Sequence, residues 1–452
     1  MVYEISQVLI LSVAKTLIRR CGVTTILAGT IICCLSTAAS AKRLQDELQH
    51  LLQTHPRLQA AQKNVTAAKE GVRAALSGYF PTVNISGDIG REFVDSPSRR
   101  STEGEDFFDT RRATTLTVKQ NLFEGFRTGS ATQIARLQKD ASSEEYRITE
   151  QQILFNGIQS YVTVLKQTKL LEIAKQNEQT LLEQLKLESA RVERGSGLAV
   201  DVLQAKSRLQ LARERVVSIF GDLRNALSAY LQIFNHPAVP AQMTLPVPPT
   251  DLLPETMESA VSIASAENVV LKQTRNIVDI AAERRTFEQS TYWPRIDLVG
   301  EGSWEKNVDG VPGFRREGQV TIRAVWDIFD GFLTPARSSQ AAAQYSAALD
   351  RRRNTDRNVR DHARQAWGNY RTTADQRDLL ANAVNIAAEV FEARKKLRQR
   401  GRESVINLLD AENELNSARL RFNDVSFNHV VAAYRLLLHT GRLTPDGLKL
   451  TN

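Results

Sequence analysis

The residue types that most often carry chemistry are sparse here and badly spaced for it. The six histidines, His50, His55, His236, His362, His429 and His439, are scattered, and no two stand at metal-ligand spacing with each other or with a cysteine. All three cysteines, Cys21, Cys33 and Cys34, fall near the N-terminus, so the remaining chain offers no thiolate and no disulfide. No phosphate-cradling glycine loop and no nucleophile elbow is present. The runs Glu283-Arg284-Arg285 and Arg351-Arg352-Arg353 read as wet helical faces. With no nucleophile, acid-base pair or nucleotide loop, the chain is not expected to be an enzyme, to use a cofactor or metal, or to supply energy.

Elements that position no reacting group must do something else, and their lengths say what. Only 6% of the 452 residues are aromatic, with 13 Pro and 23 Gly, which favours long helices over many small lobes. The formal charge is +8; without Lys15, Arg19, Arg20 and Glu4 of the N-terminal segment it is +6, too mild for a nucleic-acid surface. After Arg19-Arg20, residues 21–41 carry no charge and end in Ala39-Ser40-Ala41, the pattern of a secretory signal cut after Ala41. The alternative, an uncleaved membrane anchor, is disfavoured because the apolar stretch from Val23 to Leu35 is shorter than the roughly 20 residues a spanning helix needs. Lipid attachment at Cys33 would want small residues where Ile31-Ile32 stand. No later segment is apolar over 18 residues, so entry into a membrane would have to use strands.

The chain is written twice. Gly78-Tyr79-Phe80-Pro81 is echoed by Thr291-Tyr292-Trp293-Pro294 at an offset of 213, and Asn121-Leu122-Phe123-Glu124-Gly125-Phe126 by Asp327-Ile328-Phe329-Asp330-Gly331-Phe332 at 206. The second offset persists through Gly195 and Gly401, Leu203 and Leu409, Leu209 and Leu415, which marks an internal duplication. The repeats are expected over residues 42–236 and 256–443, joined by a Pro-rich connector at 237–255 and followed by a tail at 444–452. Each repeat reads as a helix (43–78; 256–291), two strands (79–90 and 114–123; 292–304 and 318–328) and a long helix (127–194; 336–400). A glycine break, Gly195-Ser196-Gly197 or Gly401-Arg402, and a further helix complete it. Helices this long must pack sideways as coiled-coil-like hairpins.

The strands alternate. Val83, Ile85 and Ile89 oppose Thr82, Asn84 and Asp88; Leu116 and Val118 oppose Thr117 and Lys119; Ile296 and Leu298 oppose Arg295 and Asp297; Val320 and Ile322 oppose Thr321 and Arg323. About ten residues suffice for a tilted strand to cross a bilayer. Tyr79, Phe80, Phe123 and Phe126, and again Tyr292, Trp293, Phe329 and Phe332, cluster at one end like an interfacial aromatic girdle. Residues 92–111 and 305–317 read as polar loops at the other end. From alternation alone, soluble hairpins packed on helices fit as well; the export signal and the twice-used aromatic placement favour lipid. Four strands are too few to close a barrel, for which about eight is the minimum, so several copies must pool theirs.

With these paired strand-helix-glycine-helix units in view, the chain resembles the TolC family of outer-membrane factors from about Leu44 to Leu443, particularly the branch serving type I protein secretion. The pieces that carry the likeness are Gly78-Tyr79-Phe80-Pro81, Asn121-Leu122-Phe123-Glu124-Gly125 and the run from Arg400 to Ala411. The resemblance implies a mainly α chain with membrane β. It implies a homotrimer in which a twelve-stranded outer-membrane barrel continues as a periplasmic α-helical barrel. Its partners would be a periplasmic adaptor and an ABC or proton-driven inner-membrane transporter, with cargo either polypeptide or small molecule. It also implies an acidic constriction and polar links closing the tip. Asp410 matches one acidic position, while Asn407 stands at the other, which weakens cation selectivity. Asp201 matches the linking acid of the first hairpin, and the usual aromatic partner is replaced by Arg398, so an Asp201 to Arg398 ion pair is expected. Glu403 falls in the same constriction, and Gly195, Ser196, Gly197, Gly401 and Arg402 occupy the tips where an adaptor would touch. A single-hairpin periplasmic adaptor or a soluble coiled-coil scaffold are the rival classes; neither explains two hairpins, four alternating strands and an export signal together.

Overall fold

The computed structural model describes residues 44–450, so the expected signal segment lies outside the described residues. The first repeat contains α1 (Leu44–Thr54), α2 (Pro56–Leu76), β1 (Thr82–Val94), α3 (Pro97–Thr102), β2 (Phe107–Phe123), α4 (Arg127–Glu193) and α5 (Ala199–Phe234). The second contains α6 (Met257–Glu267), α7 (Val269–Gln289), β3 (Arg295–Val308), β4 (Val311–Val325), α8 (Leu333–Gln399) and α9 (Val405–Thr440). The long helices α4 and α8 have 67 residues each and α5 and α9 have 36 each, so the duplication is metrically faithful. At 1.5 Å per residue α4 and α8 are about 100 Å long.

The first helix of each repeat is broken where one continuous helix was expected. Pro56 has no N–H to continue the ladder, and His55 caps the new start by accepting the Arg57 N–H at 3.2 Å. The offset of 213 carries His55 onto Asn268, whose Oδ1 accepts the Val270 N–H at 3.0 Å while its Nδ2 donates to the His439 carbonyl at 2.9 Å. The break therefore belongs to the repeat rather than to the proline. Around it lies the main core, where Leu48, Leu51, Ile153, Leu154, Ile158, Tyr161, Tyr230, Phe234 and Leu437 are all buried and tie α1, α4, α5 and α9 together.

The strands form one antiparallel sheet in the order β1-β2-β3-β4. Its middle seam, β2 on β3, joins the two repeats, with Thr117 opposite Glu301 and Lys119 opposite Val299. The alternation expected from the sequence holds. Val83 and Ile85 stand opposite Val118 and Leu116, on the face that also carries Leu298, Val320 and Ile322. Val83, Ile85, Ile89, Val320 and Ile322 are each at least two-thirds exposed within the single chain. The other face is charged and includes Asp88, Glu92, Arg111, Glu301 and Arg323, with Asp297 buried between Arg295 at 2.8 Å and Lys119 at 3.1 Å.

The loop expectations fail in an instructive way. Residues 92–94 and 107–111 are strand, the first connection narrows to 95–106, and it carries α3, capped by Ser96. The second loop, expected at 305–317, is instead strand to both sides of a two-residue turn. Asp309 and Gly310 take φ +55° and +74° between the paired Val308 and Val311. Charged residues there signal no loop, because Arg315 and Glu305 bond across the strands at 2.6 Å.

Strand gives way to long helix through the same two-residue bend in both repeats: Gly125 and Phe126 at φ +64° and +69°, Gly331 and Phe332 at +67° and +68°. A Cβ on Gly125 would collide with the Ser290 carbonyl and lie 2.8 Å from the Trp293 Cβ, so glycine is needed for close approach as well as for conformation. Gly125→Ala should therefore melt at a lower temperature than Gly104→Ala, whose Cβ at φ +73° meets open space and carries only the left-handed cost of about 1–2 kcal/mol. Equal melting of the two variants by circular dichroism in detergent would refute the packing account.

Candidate functional site

At the far end from the sheet, the two helical hairpins turn through matched caps. Gly195 and Gly401 take φ +74° and +72°. The Ser196 N–H reaches back to the Arg191 carbonyl at 3.0 Å, and the Arg402 N–H to that of Leu397 at 3.0 Å. Gly197 follows the first turn, and Ser404 caps α9 by accepting the Asn407 N–H at 3.1 Å. Below the tips, Leu181, Ala205, Leu209 and Ala212 of the α4/α5 hairpin pack on Val405 and Leu409 of α9, so the two hairpins share a core.

The expected Asp201 to Arg398 pair forms, at 3.8 Å, but it is the weaker half of a cluster. Arg398 donates more tightly to Glu188, at 2.7 Å, and to the Glu403 carbonyl at 3.0 Å. Glu188 is 2% exposed and is also held by Arg191 at 2.9 Å. Arg398 thus ties the end of α8 to the end of α4 and the start of α5. Sequence reading missed Glu188; its only signal was the (i, i+3) pairing with Arg191. Asp410 does not join this cluster: it pairs with Arg208 of α5 at 2.8 Å, a second link between hairpins. Asn407 donates to Glu403 at 2.6 Å, and that bond, with the Ser404 N–H, holds the Glu403 carboxyl below the usual range.

One further acid escaped the sequence reading. Glu412, one helical turn beyond Leu408, is 5% exposed, and both its oxygens lack a hydrogen-bond partner. Burial pushes it up to about 7, partly offset by Lys395. It borders a cavity of about 330 Å³ between α4, α5 and α9, lined also by Arg208, Arg215 and Arg421.

The eight aromatic residues expected to form a girdle all lie where strands meet helices. Tyr79 and Tyr292 end matched single turns at Ser77–Tyr79 and Ser290–Tyr292. Phe123 sits edge-on between Phe126 at 5.9 Å and Trp293 at 6.5 Å, and Phe329 meets Phe332 at 5.4 Å. Except for Phe123, they are about half exposed or more in the single chain, Phe80 included. The fold does bring two distant histidines together, His362 and His439 at 5.2 Å between rings, and burial pushes His439 down to about 4, keeping it neutral. Among the described residues no group of three His, Cys, Asp or Glu could hold a metal ion, and no helix is long and apolar enough to cross a membrane.

Comparison with known proteins matches this geometry. The chain is 25% identical over 430 residues to the outer membrane efflux protein BepC of Brucella suis, covering 94% of this chain and 90% of BepC. It is 24% identical over 437 residues to the alkaline protease secretion protein AprF of Pseudomonas aeruginosa (94% and 89%), and 21% identical over 443 residues to the outer membrane protein TolC of Escherichia coli (94% and 88%). Among solved structures, the outer membrane protein VceC of Vibrio cholerae superimposes with a TM-score of 0.77 at 15% identity, over 88% of this chain and 96% of VceC. The family model described as outer membrane efflux protein matches residues 48–235 and 260–442. That match, over most of the chain, makes it a member of the outer membrane efflux protein family, the TolC-like channels of the bacterial outer membrane, which are not enzymes.

Proposed function

We propose that this chain forms, as three copies, the passive exit duct of a tripartite export system whose energy comes from an inner-membrane transporter. The observation that carries the reading is the open sheet: β1 and β4 leave their outer edges unpaired, while the apolar face beside them is exposed. Bare edges and bare apolar faces are both costly in water, and closure of a ring within lipid removes both. Three copies supply twelve strands, enough for a barrel with an aqueous interior lined by the charged face. The eight aromatics then mark the inner interface of the bilayer, and α4, α5, α8 and α9 continue the wall through the periplasm.

Type I protein secretion, through an adaptor and an ABC transporter, is the preferred cargo route, supported by the likeness to a protein named for alkaline protease secretion. Drug efflux with a proton-driven pump is the alternative, supported by the likeness to BepC, named an efflux protein. Asp201, Arg398, Glu403, Asn407 and Asp410 are assigned to the closed periplasmic constriction, and Gly195, Ser196, Gly197, Gly401 and Arg402 to the tips that an adaptor grips.

Purified protein in planar bilayers should conduct ions, and an Asp201→Ala, Asp410→Ala double variant should conduct more, since it removes one carboxylate from each of the two links between hairpins. A chain that passes no current would overturn the duct; unchanged conductance in the double variant would remove these residues from the constriction.

A further inference from the structure

The two repeats are joined inside one chain by a seam, β2 on β3, whose register is visible. The duplication converts that seam into a specification for the unpaired edges. The offsets of 213 from β1 to β3 and 206 from β2 to β4 are structurally sound: shifting the observed pair Thr82 and Lys119 by them gives Arg295 and Val325, a pair that is also observed. The same shift applied to the middle seam, with β4 in the place of β2 and a second copy's β1 in the place of β3, turns Lys119 opposite Val299 into Val325 opposite Ser86, and Thr117 opposite Glu301 into Arg323 opposite Asp88.

We propose that β4 of one copy pairs with β1 of the next in this single register, with Arg323 facing Asp88 on the inner, charged face and Ile322 facing Ile89 on the apolar one. The inference rests on the ring of copies put forward above and adds its residue-level contacts. Three independent features support it. First, two of the pairs it creates are complementary: Arg323 lies opposite Asp88, and Ile322 opposite Ile89, isoleucines that are each 71% exposed in the single chain. A slip of two residues would set Arg323 against Ser86 or Gly90, and Ile322 against Gly87 or Arg91. Second, β2 continues as strand to Phe123 because β3 pairs with its end, past a bulge at Leu122, whereas β4 stops at Val325. The images of those last residues, Trp326, Ile328 and Phe329, are 59%, 86% and 73% exposed, as expected of a strand end lacking its partner. Third, Gly125 is pressed against Ser290 and Trp293 across the inner seam, while its image Gly331 faces nothing within 4 Å. In the ring, Gly331 comes to lie against the next copy's Ser77 and Phe80, the images of Ser290 and Trp293.

The test joins cysteines across the seam, made practical because no cysteine follows Cys34. Arg323→Cys is combined in the full chain with Asp88→Cys, Ser86→Cys or Gly90→Cys, and treated in detergent with a thiol reagent spanning about 5 Å, the reach of directly opposed positions but short of the roughly 7–8 Å to diagonal ones. Single variants report any background from the N-terminal cysteines. The Asp88 pair should give covalent chain-to-chain ladders several-fold more efficiently than the other two. As a second readout, Asp88→Arg and Arg323→Asp should each lower the temperature at which the oligomer dissociates, and the double swap should restore it. Preferential linking through Ser86 or Gly90 would overturn the register while leaving the ring intact. Absence of linking in all three pairs, with light scattering giving the mass of one chain, would bring down the ring itself.

Discussion

Arg398→Ala should raise single-channel conductance several-fold and lower the melting temperature of the helical hairpins, more than any other single change at the tip. Arg398 meets three acceptors from separate segments: Glu188 at 2.7 Å, the Glu403 carbonyl at 3.0 Å and Asp201 at 3.8 Å. Glu188 is 2% exposed, so truncating its partner leaves a buried charge with Arg191 alone. Breaking a buried pair usually costs about 3–5 kcal/mol, and the surviving Arg191 contact brings the expected loss to about 2–3 kcal/mol. The state that regains solvent for Glu188 is the one in which the end of α8 leaves α4, which is an opened tip. Arg398→Lys should recover only part of the closure, since a compact ammonium cannot span acceptors that a planar guanidinium bridges. Asp201→Ala should act more weakly, its contact being the longest. Bilayer conductance for all three variants checks the order; wild-type conductance in Arg398→Ala would exclude the cluster as a latch.

Glu412→Gln should stabilise the protein at pH 8 and leave it unchanged at pH 4. The carboxyl is buried without a hydrogen bond and is pushed up to about 7 from an ordinary 4.5. The folded state therefore holds this proton more tightly than the unfolded chain does. The penalty for ionising it is absent below about pH 4.5, grows as pH rises towards 7, and reaches about 3 kcal/mol above that. Lys395 relieves the penalty only in part, and Arg208, Arg215 and Arg421 line the cavity beside it without bonding its oxygens. Other groups also titrate, so the informative quantity is the difference between wild type and variant, which should open between pH 5 and 7 in melting curves recorded in detergent. A difference that stays constant over that range would show the carboxyl to be solvated.

Much of the architecture was legible because it is periodic. The duplication, the long helices, the glycine breaks and the apolar and charged faces of the strands are properties of residues near each other in the chain. Backbone geometry maps such spacing directly onto structure. The aromatic residues were legible for the same reason, sitting at fixed positions in two matched bends. The Asp201 to Arg398 contact was legible too, but by likeness to a family rather than from the residues. What misled was polarity: charged residues at 305–317 looked like a loop, yet cross-strand pairing of Arg315 with Glu305 makes them strand.

Composition and spacing by themselves determined that this chain is duplicated, built of long paired helices and of strands with one apolar and one polar face. Only the tertiary structure decided which charges meet: that Glu188 rather than Asp201 holds Arg398 closest, that Asp410 goes to Arg208, and that Glu412 is left with no hydrogen-bond partner. The reason is geometric. On helices about 100 Å long, a turn of α8 could lie beside many turns of α4, and the choice is set by the packing of Leu181, Leu209, Val405 and Leu409 between the hairpins, summed over the core, rather than by any pattern local to the charges.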